Sequence, residues 1–84
     1  MMKKAKQKFT LDRPTTYQIK VPGALDKRWL GWDEDLIITV ENDDDGLSVT
    51  TITIIVDQAA LQGLLRRLYS LGLPLISVIC IELD

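Results

Sequence analysis

The sequence predicts an α+β domain: a small mixed β-sheet with one helix packed on one face, and elements in the order β-β-β-α-β. Between residues 57 and 72, leucines recur at spacings of three and four, a pattern typical of an amphipathic helix. Residues 15–21 alternate apolar and polar side chains, as a half-buried strand does. Residues 36–41, 47–56 and 75–83 are rich in the β-branched and apolar residues that strands favour.

The helix carries signals at both ends. Asp57 has a carboxylate that can accept a hydrogen bond from the first turn, so we expect it to be the N-cap. Gly72 can adopt the left-handed conformation of a Schellman motif, which would return Leu73 onto Leu68, and Pro74 prevents a further turn. The apolar stripe between them consists of Leu61, Leu64, Leu65, Leu68 and Leu71.

The connections between strands define the expected topology. Residues 42–46 read Asn-Asp-Asp-Asp-Gly, which predicts a turn and an antiparallel hairpin of the second and third strands. The helix joins the third strand to the fourth, and a right-handed crossover would make these two strands parallel in the mixed sheet.

A short helical turn is predicted after the first strand. Asp26 can cap it, and Trp29 and Trp32 lie three residues apart, hence on the same side. Two indoles bury a large apolar area, so the turn is expected to act as a hydrophobic lid. The alternative is a small-molecule site at Trp29 and Trp32, with Tyr69 as a further ligand contact.

Length and charge restrict the classes of partner. The chain has 84 residues, room for one domain over residues 14–84 after a flexible basic arm, residues 1–13. Residues 1–8 contribute four lysines, which leaves six basic and twelve acidic side chains in residues 9–84. Because an acidic body repels phosphate backbones, nucleic-acid contact would depend on the arm lysines. They are Lys3, Lys4, Lys6 and Lys8.

Groups that carry catalysis are scarce. The chain has no histidine and one cysteine, Cys80, so we expect no catalytic residues, no metal site of nitrogen or sulfur ligands and no cofactor. Cys80 lies in an apolar strand and is expected to be a core residue in a reducing compartment. No apolar run suits a secretory signal or a membrane span, which predicts a cytoplasmic protein without membrane contact.

The acidic turn resembles the beginning of a calcium-binding loop. Glu41, Asp43, Asp45 and Gly46 fall at positions 1, 3, 5 and 6 of that pattern. Ile52 stands where the pattern requires a bidentate glutamate. We therefore expect a solvated hairpin tip with no dedicated cation site.

The fourth strand favours self-association, because it is apolar on both of its faces and one helix covers only one of them. Gly63 costs about 1 kcal/mol relative to alanine inside a helix, which predicts close approach of a strand or another helix there. The expected interface residues are Ile76, Val78, Ile79, Ile81 and Gly63.

Several segments resemble a family of small uncharacterised bacterial proteins. The similarity lies in Tyr17-Gln18-Ile19-Lys20-Val21, in Gly23-Ala24-Leu25-Asp26, in Trp29 and Trp32, in residues 56–65 around the helix start, and in residues 71–78, Leu-Gly-Leu-Pro-Leu-Ile-Ser-Val. Many members have histidine at the position of Gln62, and this difference argues against a catalytic role for that helix position. Many also have Gly-Pro at the position of Thr53-Ile54, so this chain should have a longer, more regular third strand. The resemblance implies a family but no activity.

These observations favour one function over two others. The leading hypothesis is a non-enzymatic homodimeric interaction module, with a further protein partner possible. The alternatives are a small-molecule sensor at the tryptophans and nucleic-acid contact through the lysine arm.

Overall fold

The structure, a computed structural model, describes residues 11–30 and 36–81, with the side chains of Trp29 and Leu30 excepted. The predictions for the lysine arm and for Trp32 therefore lie outside the described residues. The elements are β1 (Thr15–Pro22), α1 (Lys27–Leu30), β2 (Leu36–Asn42), β3 (Ser48–Val56), α2 (Gln58–Ser70) and β4 (Ser77–Cys80).

The four strands form one sheet in the order β2-β3-β1-β4, and every pairing in it is antiparallel. The α+β class is confirmed, but the prediction of a mixed sheet is wrong. β3 and β4 do run in the same direction, yet β1 lies between them and is antiparallel to both. The connection from β3 through α2 therefore passes over β1 and leads to β4 on its far side. The pattern of apolar and polar residues in the strands does not determine this strand order.

The elements also differ in detail from the predicted order. The turn after β1 is a four-residue helix, α1, which begins at Lys27 and contains Trp29. β4 covers residues 77–80, so Leu75 and Ile76 belong to the connection from α2, Ile81 follows the strand, and residues 82 and 83 of the predicted strand lie outside the described residues. β3 runs unbroken through Thr53 and Ile54, in agreement with the regular third strand expected from the sequence.

The core lies between α2 and one face of the sheet, which we call the inner face; the opposite face is the outer face. Alternate residues of β1 and β3 point inward, since their burial alternates along both strands. From α2, the predicted stripe contributes Leu61, Leu64 and Leu68. The buried apolar residues of the strands and connections are Tyr17, Ile19, Val21, Leu25, Leu36, Ile52, Ile54 and Val56.

Both predicted helix ends are confirmed. The Asp57 carboxylate accepts a hydrogen bond from the Ala60 amide at 2.9 Å. At the other end, the Gly72 amide donates to the Tyr69 carbonyl and the Leu73 amide donates to the Leu68 carbonyl, at 2.9 and 3.0 Å. This is the Schellman pattern, and Gly72 has the positive φ, 81°, that it requires.

The hairpin between β2 and β3 is also confirmed. Asp43 organises the turn: one of its carboxylate oxygens, Oδ1, accepts hydrogen bonds from the amides of Asp45 and Leu47, at 2.9 and 2.8 Å. Gly46 supplies the positive φ, 81°. These two backbone hydrogen bonds to Oδ1 of Asp43 fix the conformation of the turn, and the acidic side chains of the turn are exposed to solvent.

A buried hydroxyl fixes the connection from β1 to α1. Thr50 on β3 is fully buried, and its hydroxyl donates to the Gly23 carbonyl at 2.6 Å. The same oxygen accepts from the amide of Leu25, itself a buried core residue, at 2.9 Å. Asp26 follows at once and accepts from the Arg28 amide at 2.9 Å, so it caps α1 as predicted.

Candidate functional site

β4 is an edge strand with apolar side chains exposed on both faces of the sheet. Its register with β1 pairs Val78 with the inward-facing Ile19, and Ile79 with the outward-facing Gln18. Ile76, Val78, Ile79 and Ile81 are between 39% and 54% exposed. The structure thus brings these four predicted interface residues together along one edge, on two faces.

The backbone of β4 has an open side. The Ile81 amide donates to the Thr16 carbonyl of β1 at 3.0 Å, which marks this pair as hydrogen-bonded. Because antiparallel pairs alternate, the N–H and C=O of Ile79 point toward β1 and those of Val78 point away from it. In the described chain no strand lies beyond β4, so the main chain of Val78 faces outward.

On the inner side, the apolar surface continues toward the end of α2. Leu71 and Leu75 are exposed, and Tyr69 is almost entirely so. Tyr69, Gly72, Leu73 and Pro74 line an open cavity of about 380 Å³. The predicted ligand contact Tyr69 therefore borders a concavity, whereas the side chain of Trp29 and all of Trp32 lie outside the described residues.

Gly63 does not mark a close approach within the described part of the chain. A Cβ atom placed there would meet no other atom within 4 Å. The position lies on the side of α2 away from Leu61, Leu64 and Leu68, the residues that face the sheet. No described residue therefore makes the predicted close approach, and the assignment of Gly63 to an interface stays a prediction.

Two strongly exposed isoleucines belong to the apolar area that one helix cannot cover, but they are not among the predicted interface residues. Ile37 and Ile55 lie on the outer face, with 65% and 64% of their surface exposed. Strand alternation predicts that Ile37 and Leu36 point to opposite faces of the sheet, as do Ile55 and Ile54. The sequence does not show which of the two faces α2 covers.

Charge is unevenly distributed along the chain. Residues 58–81 contain Arg66 and Arg67 as their sole charged side chains, and residues 68–81 contain none. An ion pair joins Arg28 to Asp26 at 2.6 Å. Hydrogen bonds from the Arg28 side chain and amide lower the pKa of Asp26 from 3.8 to about 2, and the same pair raises the pKa of Arg28.

Within residues 11–30 and 36–81, no three histidine, cysteine or acidic side chains come close enough to hold a metal ion. Cys80 is half-buried and packs against the core, consistent with a small apolar role. None of the helices in these ranges has the length and apolar character needed to span a bilayer.

Comparison with known proteins places the chain in a family. Searches of curated proteins and of solved structures found no significant match. A family model described as "Domain of unknown function (DUF8691)" matches residues 16–79, which extend from β1 into β4 and include the cavity residues and most of the apolar edge. Since the match covers well over half of the sequence, the chain belongs to this family, the domain of unknown function DUF8691.

Proposed function

We propose that the protein is a non-enzymatic homodimeric interaction module, in which β4 pairs antiparallel with β4 of a second copy. The observation that carries this proposal is the edge itself: Val78 and Ile79 of β4 expose apolar side chains on opposite faces of the sheet, and Ile76 and Ile81, which flank the strand, are exposed as well. A fifth strand beside β4 would cover the open side of these four side chains.

The backbone geometry supports strand addition at this edge. The N–H and C=O of Val78 point away from β1 and can bond to the same edge of a second copy. A two-fold axis near Val78 and Ile79 would bring the two Ile79 side chains together on the outer face. The result is a continuous eight-stranded sheet.

Self-pairing also requires that equal charges do not meet, because a two-fold interface places each residue near its own copy. Residues 68–81 satisfy this condition, since they contain no charged side chain. Arg66 and Arg67 lie outside this stretch, in the last two turns of α2. Pairing through β4 therefore carries little electrostatic cost.

The expected affinity follows from the exposed area. The exposed parts of the four side chains amount to roughly two whole side chains per copy, or about 4 kcal/mol of apolar burial at roughly 2 kcal/mol each. Two copies give about 8 kcal/mol, and each backbone hydrogen bond adds about 1 kcal/mol. Association costs at least about 4 kcal/mol, so about 6 to 8 kcal/mol remains and the dissociation constant should lie in the micromolar range, at roughly 1 to 50 µM.

A small-molecule site is the second candidate, and the cavity beside Tyr69 is the observation that favours it. Its volume of about 380 Å³ lies within the range of small-molecule pockets. It is open, and its wall is formed by Tyr69, Gly72, Leu73 and Pro74. A ligand there would be held chiefly by apolar contact.

Native mass spectrometry combined with light scattering from roughly 1 to 200 µM tests both functions. We expect a concentration-dependent dimer without added mass. Ile79→Lys would place two charges beside the two-fold axis and should yield monomer. Ile37→Lys is the matched control, because it adds the same charge to the outer face of β2, at the opposite edge of the sheet, and should leave the dimer unchanged.

A second variant examines the backbone. Val78→Pro removes an N–H that faces away from β1, so the pairing within the chain is retained while the donor for a second copy is lost. Pairing through β4 would be refuted if the unsubstituted protein were monomeric throughout the concentration range. Equal effects of Ile79→Lys and Ile37→Lys on the fraction of dimer would refute it as well. A bound small molecule in the monomer spectrum would favour the cavity instead.

A further inference from the structure

β2 forms the other edge of the sheet and also has an open side. The Asp43 amide donates to the Leu47 carbonyl at 2.8 Å, and the β2–β3 register continues from this pair. Alternation along the ladder directs the N–H and C=O of Thr39 toward β3 and those of Ile38 and Val40 away from it. Among the described residues, no strand or hydrogen bond covers these outward groups.

This edge has one charged residue, Glu41, but lacks the other features that usually protect a free strand. β2 has seven residues, pairs with β3 without a bulge, and contains neither proline nor lysine. From Ile37 to Asn42 all but the half-buried Ile38 are exposed. A free strand of this length readily accepts an extended chain beside it.

Charge identifies the kind of chain that fits. The carboxyl end of β2 leads into the acidic turn, where Glu41, Asp43, Asp44 and Asp45 are exposed and form no ion pair with any described residue. Lys20 borders a cavity of about 210 Å³ together with Glu41 and Asp43, but no ion pair within 4 Å joins it to either. The acidic charge at this end of the edge is therefore available to a partner.

A second copy is a poor occupant of this edge. Antiparallel pairing of β2 with itself would bring the turn of one copy beside the start of β2 in the other. Residues 43–45 of the turn are all acidic, and so are residues 33–35, which precede β2 in the sequence, so self-pairing would add acidic charge to an edge that is already acidic. This is the opposite of the situation at β4, where residues 68–81 are uncharged.

We propose that the free edge of β2 binds an extended segment of a different protein, antiparallel to β2, with basic residues at its amino-terminal end. In that orientation the amino-terminal end of the segment lies beside the acidic turn. Main-chain hydrogen bonds to Ile38 and Val40 provide binding without demanding a particular sequence. Apolar residues at alternate positions of the segment extend the inner face next to these two side chains.

A titration of the full chain with a synthetic peptide, Lys-Lys-Thr-Val-Thr-Ile-Thr-Val, followed by amide NMR, tests the proposal. We expect shift changes and slowed hydrogen exchange at the Ile38 and Val40 amides, with little change at Thr39, whose amide already faces β3. The control peptide carries Glu-Glu in place of Lys-Lys and should bind at least roughly tenfold more weakly, because it repels the turn.

A matched substitution in the protein separates charge from backbone. Asp44→Asn with Asp45→Asn leaves the turn oxygen of Asp43 intact and should weaken the lysine peptide roughly three- to tenfold. Equal binding of the two peptides, or shifts confined to β4, would overturn the proposal. Slow exchange of the Ile38 and Val40 amides before any peptide is added would do so as well, since a segment of this chain or a second copy would then occupy the edge.

Discussion

Replacing Thr50 by valine isolates one buried hydrogen-bonding group without changing the shape of the core. The hydroxyl of Thr50 holds the Gly23 carbonyl at 2.6 Å and the Leu25 amide at 2.9 Å. Valine has nearly the same volume but can make neither bond. Gly23 is exposed and its carbonyl can turn to water, whereas Leu25 is buried and loses its acceptor. An unsatisfied buried donor costs about 1–3 kcal/mol, so we expect Thr50→Val to lower the free energy of unfolding by about 2 kcal/mol.

Urea unfolding followed by far-ultraviolet circular dichroism, at one protein concentration for all variants, measures this loss. Thr51→Val is the matched control, because Thr51 is the next residue on β3 but lies on the outer face, half-buried and without a side-chain hydrogen bond to the described residues. Its effect should be within about 0.5 kcal/mol of zero. If both valine variants unfold at the same urea concentration, the Thr50 hydroxyl does not anchor the connection and our reasoning fails.

Three further predictions concern the helix ends, the helix interior and one ion pair. Asp57→Ala should cost about 1 kcal/mol by thermal unfolding, and Asp57→Ser should restore most of it, because serine also caps. Gly63→Ala should stabilise the fold by up to about 1 kcal/mol, since the added methyl group meets no described atom. Gly72→Ala should destabilise the fold by about 1 kcal/mol, because alanine is strained at the positive φ of this position. Equal changes in the free energy of unfolding for the two variants would contradict this. The pKa of Asp26 is lowered from 3.8 to about 2 in the folded chain, so its pair with Arg28 stabilises fully above pH 4 and loses this effect as the pH falls toward 2. A carboxyl NMR titration should show that midpoint in the native chain and a higher one after Arg28→Gln, still below 3.8, because the backbone amide of residue 28 continues to donate to the Asp26 carboxylate.

Local signals predicted the local structure of this chain well. Asp57, Gly72 and the turn around Asp43 act through hydrogen bonds to residues two to four positions away, so the sequence contains all the information they need. Alternation in β1 likewise identified Tyr17, Ile19 and Val21 as core residues, because one face of that strand is polar.

Long-range structure was less predictable. The position of β1 between β3 and β4 depends on which strand β4 joins, and the uniformly apolar β4 is compatible with several neighbours. A costly residue such as Gly63 indicates a constraint only where something lies close to it, and no described residue does. The exposed Ile37 and Ile55 required knowledge of the side that α2 covers, which follows from the handedness of the crossover and not from either strand.

The central place of β1 has a consequence for how the chain reaches its fold. β1 leaves the ribosome before either of the strands with which it pairs: Thr15 pairs with Val56, and Tyr17 pairs with Cys80. Neither partner of β1 exists until most of the chain has been synthesised, while the β2–β3 hairpin and α2 can form from neighbouring residues alone. Domains dominated by such distant pairings fold in milliseconds to seconds, slowly for their size. Until those partners are synthesised, the apolar side of β1 is uncovered in the nascent chain, and exposed apolar surface of this kind is prone to aggregation.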